Sequence, residues 1–132
     1  MKITADTNVL LRACVQDDEA QSRRAAKLLR DADLVAVTAP CLCEFVWVLK
    51  RGYKFADADV ARAVRLLANS QNVVCNMPLV EAGLAMLEQG GDFADGVIAF
   101  EGLALGATEF VSFDKNAVAL LKSQRKAARL LG

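Results

Sequence analysis

Short β-like apolar runs alternate along this chain with stretches whose apolar residues recur at helical spacing. Residues 2–5 predict a first strand, and Asp6 or Thr7 can cap a short helix over residues 8–15. Asp17 or Asp18 opens a second helix to about Asp31, with Ala25, Ala26, Leu28 and Leu29 inward and Arg23, Arg24, Lys27 and Arg30 on a solvated face. Residues 34–38 predict a second strand. Pro40 suits the first turn of a helix that runs to Arg51 and stops at Gly52. Val60, Val64, Leu67 and Ala68 mark a helix over residues 57–69, followed by a short strand at 73–76. Pro78 starts another helix, ending at Gly90-Gly91; Asp92 caps the next, which Gly106 terminates. Residues 109–113 predict the last strand, and Asp114 begins a helix toward the C-terminus. The alternation favours an α/β fold with a parallel sheet covered by helices.

A length of 132 residues with 55% apolar content fits one globular domain, residues 1–132. No apolar run approaches the roughly 18 residues of a membrane span, and the longest, 96–106, contains Glu101. Lys2 and Asp6 within a short apolar stretch do not make a signal peptide. Net charge is zero but unevenly spread: residues 1–114 carry 11 basic and 16 acidic side chains, residues 115–132 carry 5 basic and no acidic ones. That tail reads either as a solvated helix face or as an edge that contacts phosphates or an acidic partner. Cys14, Cys41, Cys43 and Cys75 lack the spacing and histidine partners of a zinc site and sit among apolar residues, so they read as reduced core cysteines of a cytoplasmic protein.

Candidate chemistry lies in the carboxylates. Asp6 and Asp114 each follow a strand and precede a helix; either caps that helix or lies in the crevice beyond the strand ends, where open α/β sheets bind ligands. Glu44 is the one charged residue in residues 39–49, too far past Pro40 for a capping box. It is read as a pocket-facing ligand, with a structural ion pair or simple exposure as alternatives. Asp92 and Asp95 form a D-x-x-D pair that places both on one helix face, with helix capping as the plain alternative. Gly91 and Gly96 leave room for close approach by backbone, metal or phosphate. Together the set points to a hard divalent cation, Mg²⁺ or Mn²⁺, acting on a phosphoryl group. The absence of histidine excludes Ser–His and Cys–His nucleophile pairs, and neither GxxxxGK[ST] nor GxGxxG is present.

DTNVLL after an N-terminal strand, an isolated glutamate in an apolar helix, DFADGVIA, and SFDK after the last strand resemble the PIN-domain ribonucleases. Within that family the chain is most similar to the VapC-type toxins of toxin–antitoxin pairs. The resemblance implies a three-layer sandwich with a central, mainly parallel sheet of four to five strands. It implies a Mg²⁺- or Mn²⁺-dependent endoribonuclease that hydrolyses RNA through a metal-activated water, leaving 5′-phosphate and 3′-hydroxyl ends. Asp6, Glu44, Asp95 and Asp114 match the family's acidic pocket, Asp6 and Asp95 as the most direct ligands, and Asp92 matches an additional acidic position. Asn8 and Ser112 match polar positions beside the site, in orienting roles. Lys50, Arg51, Lys54 and Lys115 are the basic residues expected to meet RNA. The family also implies a homodimer and a small antitoxin that blocks the pocket. Residues 45–49, with Trp47 partly in an interface, and the helix 56–67 could supply apolar contact surface.

Other readings fit less well. A dehalogenase-type phosphatase needs DxD, and Asn8 occupies the second position. A phosphoacceptor receiver domain would use a lysine such as Lys115, but lacks its acidic pair near the first strand. A PIN-like domain that binds RNA or protein without cleaving is the non-enzymatic alternative.

Overall fold

Strands and helices alternate throughout the computed structural model, which describes residues 1–132 as two units, Met1–Asn76 and Met77–Gly132.

In the first unit, β1 (Lys2–Thr4), β2 (Leu34–Ala36) and β3 (Val73–Val74) form a parallel sheet in that order, with Ile3 beside Val35 and Val35 beside Val73. Parallel neighbours need crossovers. Helices α1 (Thr7–Cys14) and α2 (Glu19–Asp31) carry the chain from β1 to β2, and α3 (Ala39–Trp47) and α4 (Asp57–Ala68) carry it to β3. Leu10, Val35, Leu42, Phe45, Leu49, Val60 and Val64 are almost wholly buried and form this unit's core. The helix expected to reach Arg51 instead continues past Trp47 as a π-helical turn, Val48–Gly52, after which Lys54 takes a positive φ of 59°. The Asn72 side chain donates to the carbonyls of Leu29 (2.6 Å) and Ala32 (2.9 Å), fixing the end of α2.

Helix α2 is rotated slightly from its expected orientation. Ser22 and Ala25 are buried and Leu28 and Leu29 half-buried, while Ala26 is exposed. Small Ser22 reaches the interior because its hydroxyl finds the Val15 carbonyl at 3.4 Å. The cysteines are all free thiols, but only Cys41 is a buried core residue; Cys14, the last residue of α1, is exposed.

The second unit opens with α5 (Met77–Glu88) and α6 (Phe93–Ala104), packed closely through glycines. A Cβ on Gly83 would lie 2.5 Å from the Phe93 ring, and one on Gly96 would lie 2.2 Å from the Ala82 carbonyl oxygen. Then β4 (Phe110–Ser112), α7 (Lys115–Ser123) and β5 (Ala128–Leu130) follow, with β4 and β5 parallel and Val111 beside Arg129. Met86, Ala99, Ala117 and Leu121 form the buried cluster here, with Phe110, Leu120 and Ala128 against it. The sequence pattern does not reveal β5. Its three residues include a charged one, and the helix before it ends in a turn at Arg125 (φ 63°); Arg129 stays exposed and pairs with Glu109 at 2.9 Å.

The five strands therefore register as two parallel ladders, of three and two strands. Each strand is only two or three residues long, so each ladder holds few paired residues. No helix is long and apolar enough to cross a membrane.

Candidate functional site

In the first unit, Asp6 stands just beyond β1. The Ala5 amide still donates to the Ala36 carbonyl (3.2 Å), and the next residue turns into α1 as its N-cap. Its Oδ1 accepts the Val9 amide at 3.1 Å; its Oδ2 has no protein partner. Cap and ligand are thus compatible roles, because the cap fixes the rotamer and uses one oxygen only. A concavity of about 330 Å³ opens beside Asp6, with Asn8 and Arg12 on the α1 wall and Gln21 and Arg24 on the α2 wall.

Glu44 is exposed on α3 and forms no ion pair, so of the three readings of this residue the structural ion pair does not apply. Pro40, Glu44, Trp47 and Arg51 are all exposed and follow one another at helical spacing, which explains how a charge sits in so apolar a run: it lies on the wet stripe of α3. One turn earlier, buried Cys41 donates its thiol to the Ala5 carbonyl (3.5 Å) and accepts from the Thr7 hydroxyl (3.6 Å). Burial raises the Cys41 pKa; the Thr7 hydrogen bond opposes this, and the charges of Asp6 and Glu44 add to the rise. Both candidate carboxylates of this unit, Asp6 and Glu44, therefore act on the same thiol, which stays protonated and anchors the backbone next to Asp6.

In the second unit, Asp92 caps α6 and Asp114 caps α7. Asp92 Oδ1 accepts the Ala94 amide (3.0 Å), and Asp114 Oδ1 accepts those of Asn116 (2.9 Å) and Ala117 (3.1 Å). Each again keeps Oδ2 free of protein partners. Ser112 is half-buried, and its hydroxyl accepts the Asp114 amide at 2.9 Å, orienting the residue that follows β4. Asp95, in the first turn of α6, is half-buried. Burial, and then the charges of Asp92 and Asp114, push its carboxyl above the usual carboxylate range. Gly96 gives that turn no free space, since the α5 backbone fills it.

The donor chemistry in both units is oxygen-rich and anionic, and a like-charge group that resists ionisation is relieved by a cation. Within neither unit do three carboxylate or thiol groups converge as a ready-made ligand cage. Carboxylates fit a hard divalent ion in type, and Mg²⁺ characteristically uses one or two of them together with water and phosphate oxygens.

Of the expected RNA contacts, Lys50 is engaged with Asp57 at 3.1 Å. Arg51, Lys54 and Lys115 are exposed, and Lys115 directly follows the Asp114 cap. Asn8 is exposed on the rim of the concavity beside Asp6. Arg12 and Arg24 face the same concavity and were not distinguished by sequence reasoning. The signal was present in the spacing of Gln21, Arg24, Ala25 and Leu28, which defines one stripe of α2. A larger concavity of about 620 Å³ in this unit is mostly apolar, lined by residues such as Leu10, Phe45, Phe55 and Leu66, and contains none of the candidate carboxylates.

Compared with known families, the chain matches the PIN domain over residues 3–122. No curated protein sequence matches the chain significantly.

Proposed function

We propose, from the premise that this chain belongs to the PIN domain family, that it is a Mg²⁺- or Mn²⁺-dependent endoribonuclease acting as the toxin of a VapBC-type pair. PIN domains are generally metal-dependent nucleases. The observation that carries the reading is the acidic group of the second unit, in which burial first, and then the charges of Asp92 and Asp114, raise the pKa of half-buried Asp95. A half-buried carboxylate beside like charges is relieved by a bound cation.

In this reading Asp6, Glu44, Asp95 and Asp114 hold the ion, with Asp92 in support. The ion, when bound, neutralises phosphate charge and makes water a competent nucleophile at neutral pH. The residues do the positioning. Cap hydrogen bonds tie down one oxygen each of Asp6, Asp92 and Asp114 and leave the other for a ligand. Ser112 orients Asp114, and Cys41 steadies the backbone before Asp6. Arg51, Lys54 and Lys115 meet the RNA backbone, with Lys50 joining if it leaves Asp57.

The family's central sheet of four to five strands, its homodimer and its antitoxin belong to the same proposal. The apolar 620 Å³ concavity, lined partly by Phe45 and by Ala63, Leu66 and Leu67 of α4, supports an antitoxin docking role for the surface expected there. The reading also places the protein in the cytoplasm, in keeping with four free thiols.

The test is incubation of the purified, partner-free protein with total RNA in Mn²⁺ or Mg²⁺ and in EDTA. Metal-dependent fragments with 5′-phosphate ends support the nuclease. Intact RNA with a folded, metal-loaded protein supports a binding-only domain instead.

A further inference from the structure

We propose that the concavity between α1 and α2 is a phosphate subsite for single-stranded RNA, in which Arg12 and Arg24 bind a phosphodiester neighbouring the one cut at Asp6. The inference rests on the nuclease reading and names where its substrate lies.

Arg12 is held in place from three directions. Its Nε donates to Gln21 Oε1 (2.7 Å), and its Nη1 donates to Asp17 Oδ1 (3.0 Å) and to the Tyr53 hydroxyl (3.3 Å). The Tyr53 hydroxyl donates in turn to Asp17 Oδ2 at 2.8 Å. A guanidinium has five N–H donors, and the two on Nη2 remain without a protein partner. Arg12 is therefore preorganised, ion-paired with Asp17, with only its Nη2 amine left to donate. Arg24 makes no hydrogen bond or ion pair with the protein, although its neighbours Arg23 and Lys27 pair along the helix with Glu19 and Asp31. Neither arginine pairs with Asp6; Arg12 is paired with Asp17, so Arg24 is the uncompensated cation facing the same concavity as Asp6.

The chemistry of the lining selects the occupant. Arg24, whose guanidinium has no protein partner, can grip phosphate oxygens in bidentate fashion, and the Nη2 amine of Arg12 can add a single hydrogen bond. Val9, Ala25 and Leu28 supply a small apolar surface that fits the face of a ribose. No aromatic side chain lines the concavity, so it offers no stacking platform for a base. An acidic peptide would bring its carboxylates against Asp6. A nucleic acid strand carries a charge at every step, so one phosphate can reach a cation at Asp6 while the next meets the arginines. At about 330 Å³ the volume lies at the small end of ligand sites.

The experiment uses Asp95→Asn protein, so that RNA is bound and not consumed, and measures anisotropy of a fluorescein-labelled single-stranded RNA across a salt series. Arg24→Ala is expected to weaken binding about 5- to 10-fold near 0.1 M salt and to reduce the slope of log K against log salt by about 0.7, the share of one phosphate contact on a single strand. Arg24→Lys should recover most of the slope. Arg23→Ala, which removes an exposed charge already paired with Glu19, should change little. Unchanged affinity and slope in Arg24→Ala, with RNA bound by the parent, overturns the subsite and leaves the nuclease reading standing. If Arg24→Ala instead weakens only the binding of an acidic peptide, the arginines belong to a protein partner and the proposal fails. No RNA binding by the parent, with cleavage also absent in the native chain, removes both readings.

Discussion

A Cβ placed on Gly96 would stand 2.2 Å from the carbonyl oxygen of Ala82. Helix α6 can pack this closely on α5 because position 96 has no side chain, and the neighbouring residue is Asp95. The contact is with backbone and cannot swing aside. Gly96→Ala is therefore expected to cost about 3 kcal/mol, the upper end for overpacking a core, and to reduce cleavage by shifting Asp95. Urea unfolding checks the first effect; a loss below about 1 kcal/mol would mean that the helices separate easily.

Asp95 gives a stability prediction with a definite sign. Its carboxyl is raised above the ordinary aspartate range by burial and by the charges of Asp92 and Asp114. Below the ordinary value both folded and unfolded chains carry the proton, and there is no penalty. Between the ordinary and raised values the unfolded chain releases it first, and above the raised value the fold holds a disfavoured charge. This group's contribution therefore becomes less favourable as pH rises through that window and stays so at neutrality. Asp95→Asn should melt higher than the native chain in EDTA at neutral pH, with the gap closing in acid. Added Mn²⁺ should raise the melting temperature of the native chain and not that of the variant. Equal melting in EDTA at every pH contradicts the burial and charge account.

The Asp17–Tyr53–Arg12 network predicts the opposite pH behaviour. The Tyr53 hydroxyl, and then the Arg12 charge, hold the Asp17 carboxyl below its usual range. That stabilisation is present above the ordinary aspartate value and is lost as pH falls through the lowered one. Tyr53→Phe removes the main cause and should make the acid limb of the melting profile shallower. Superimposable profiles would show that the network, at the protein surface, contributes nothing measurable.

Trp47 is 60% exposed on the stripe that also carries Glu44 and Arg51. As the chain's one tryptophan, it reports its own surroundings. If it lies in the proposed homodimer interface, its emission should shift to the blue as concentration rises, and Trp47→Ala should lower the sedimentation coefficient at high concentration. A water-exposed spectrum at all concentrations, with the native chain already dimeric, places the interface elsewhere.

Much of the fold was legible because the helix starts announce themselves chemically. Asp6, Asp18, Asp92 and Asp114 each cap the helix that the sequence pattern places after them. The strand β5 was not legible, since Ala128–Leu130 has neither length nor apolar alternation and gains its place only by pairing with β4. Glu44 stood out in sequence because apolar neighbours surround it, yet adjacency along a helix is not adjacency in space, and it lies on the wet face. Arg24 does not stand out in the sequence for the converse reason: it belongs to a run of charges, and only the position of α1 distinguishes its surroundings from those of Arg23. The candidate aspartates could be named from motif and spacing, whereas the raised pKa of Asp95 depends on burial and distances that no pattern encodes.

The most direct test of the central claim is single-turnover cleavage of a susceptible RNA by native protein and by Asp95→Asn, each titrated with Mn²⁺. The account predicts cleavage that requires the ion and falls at least about 100-fold in the variant, the upper range for losing even an outer partner of a metal ligand. Cleavage that proceeds equally in both proteins, or equally in EDTA, contradicts it.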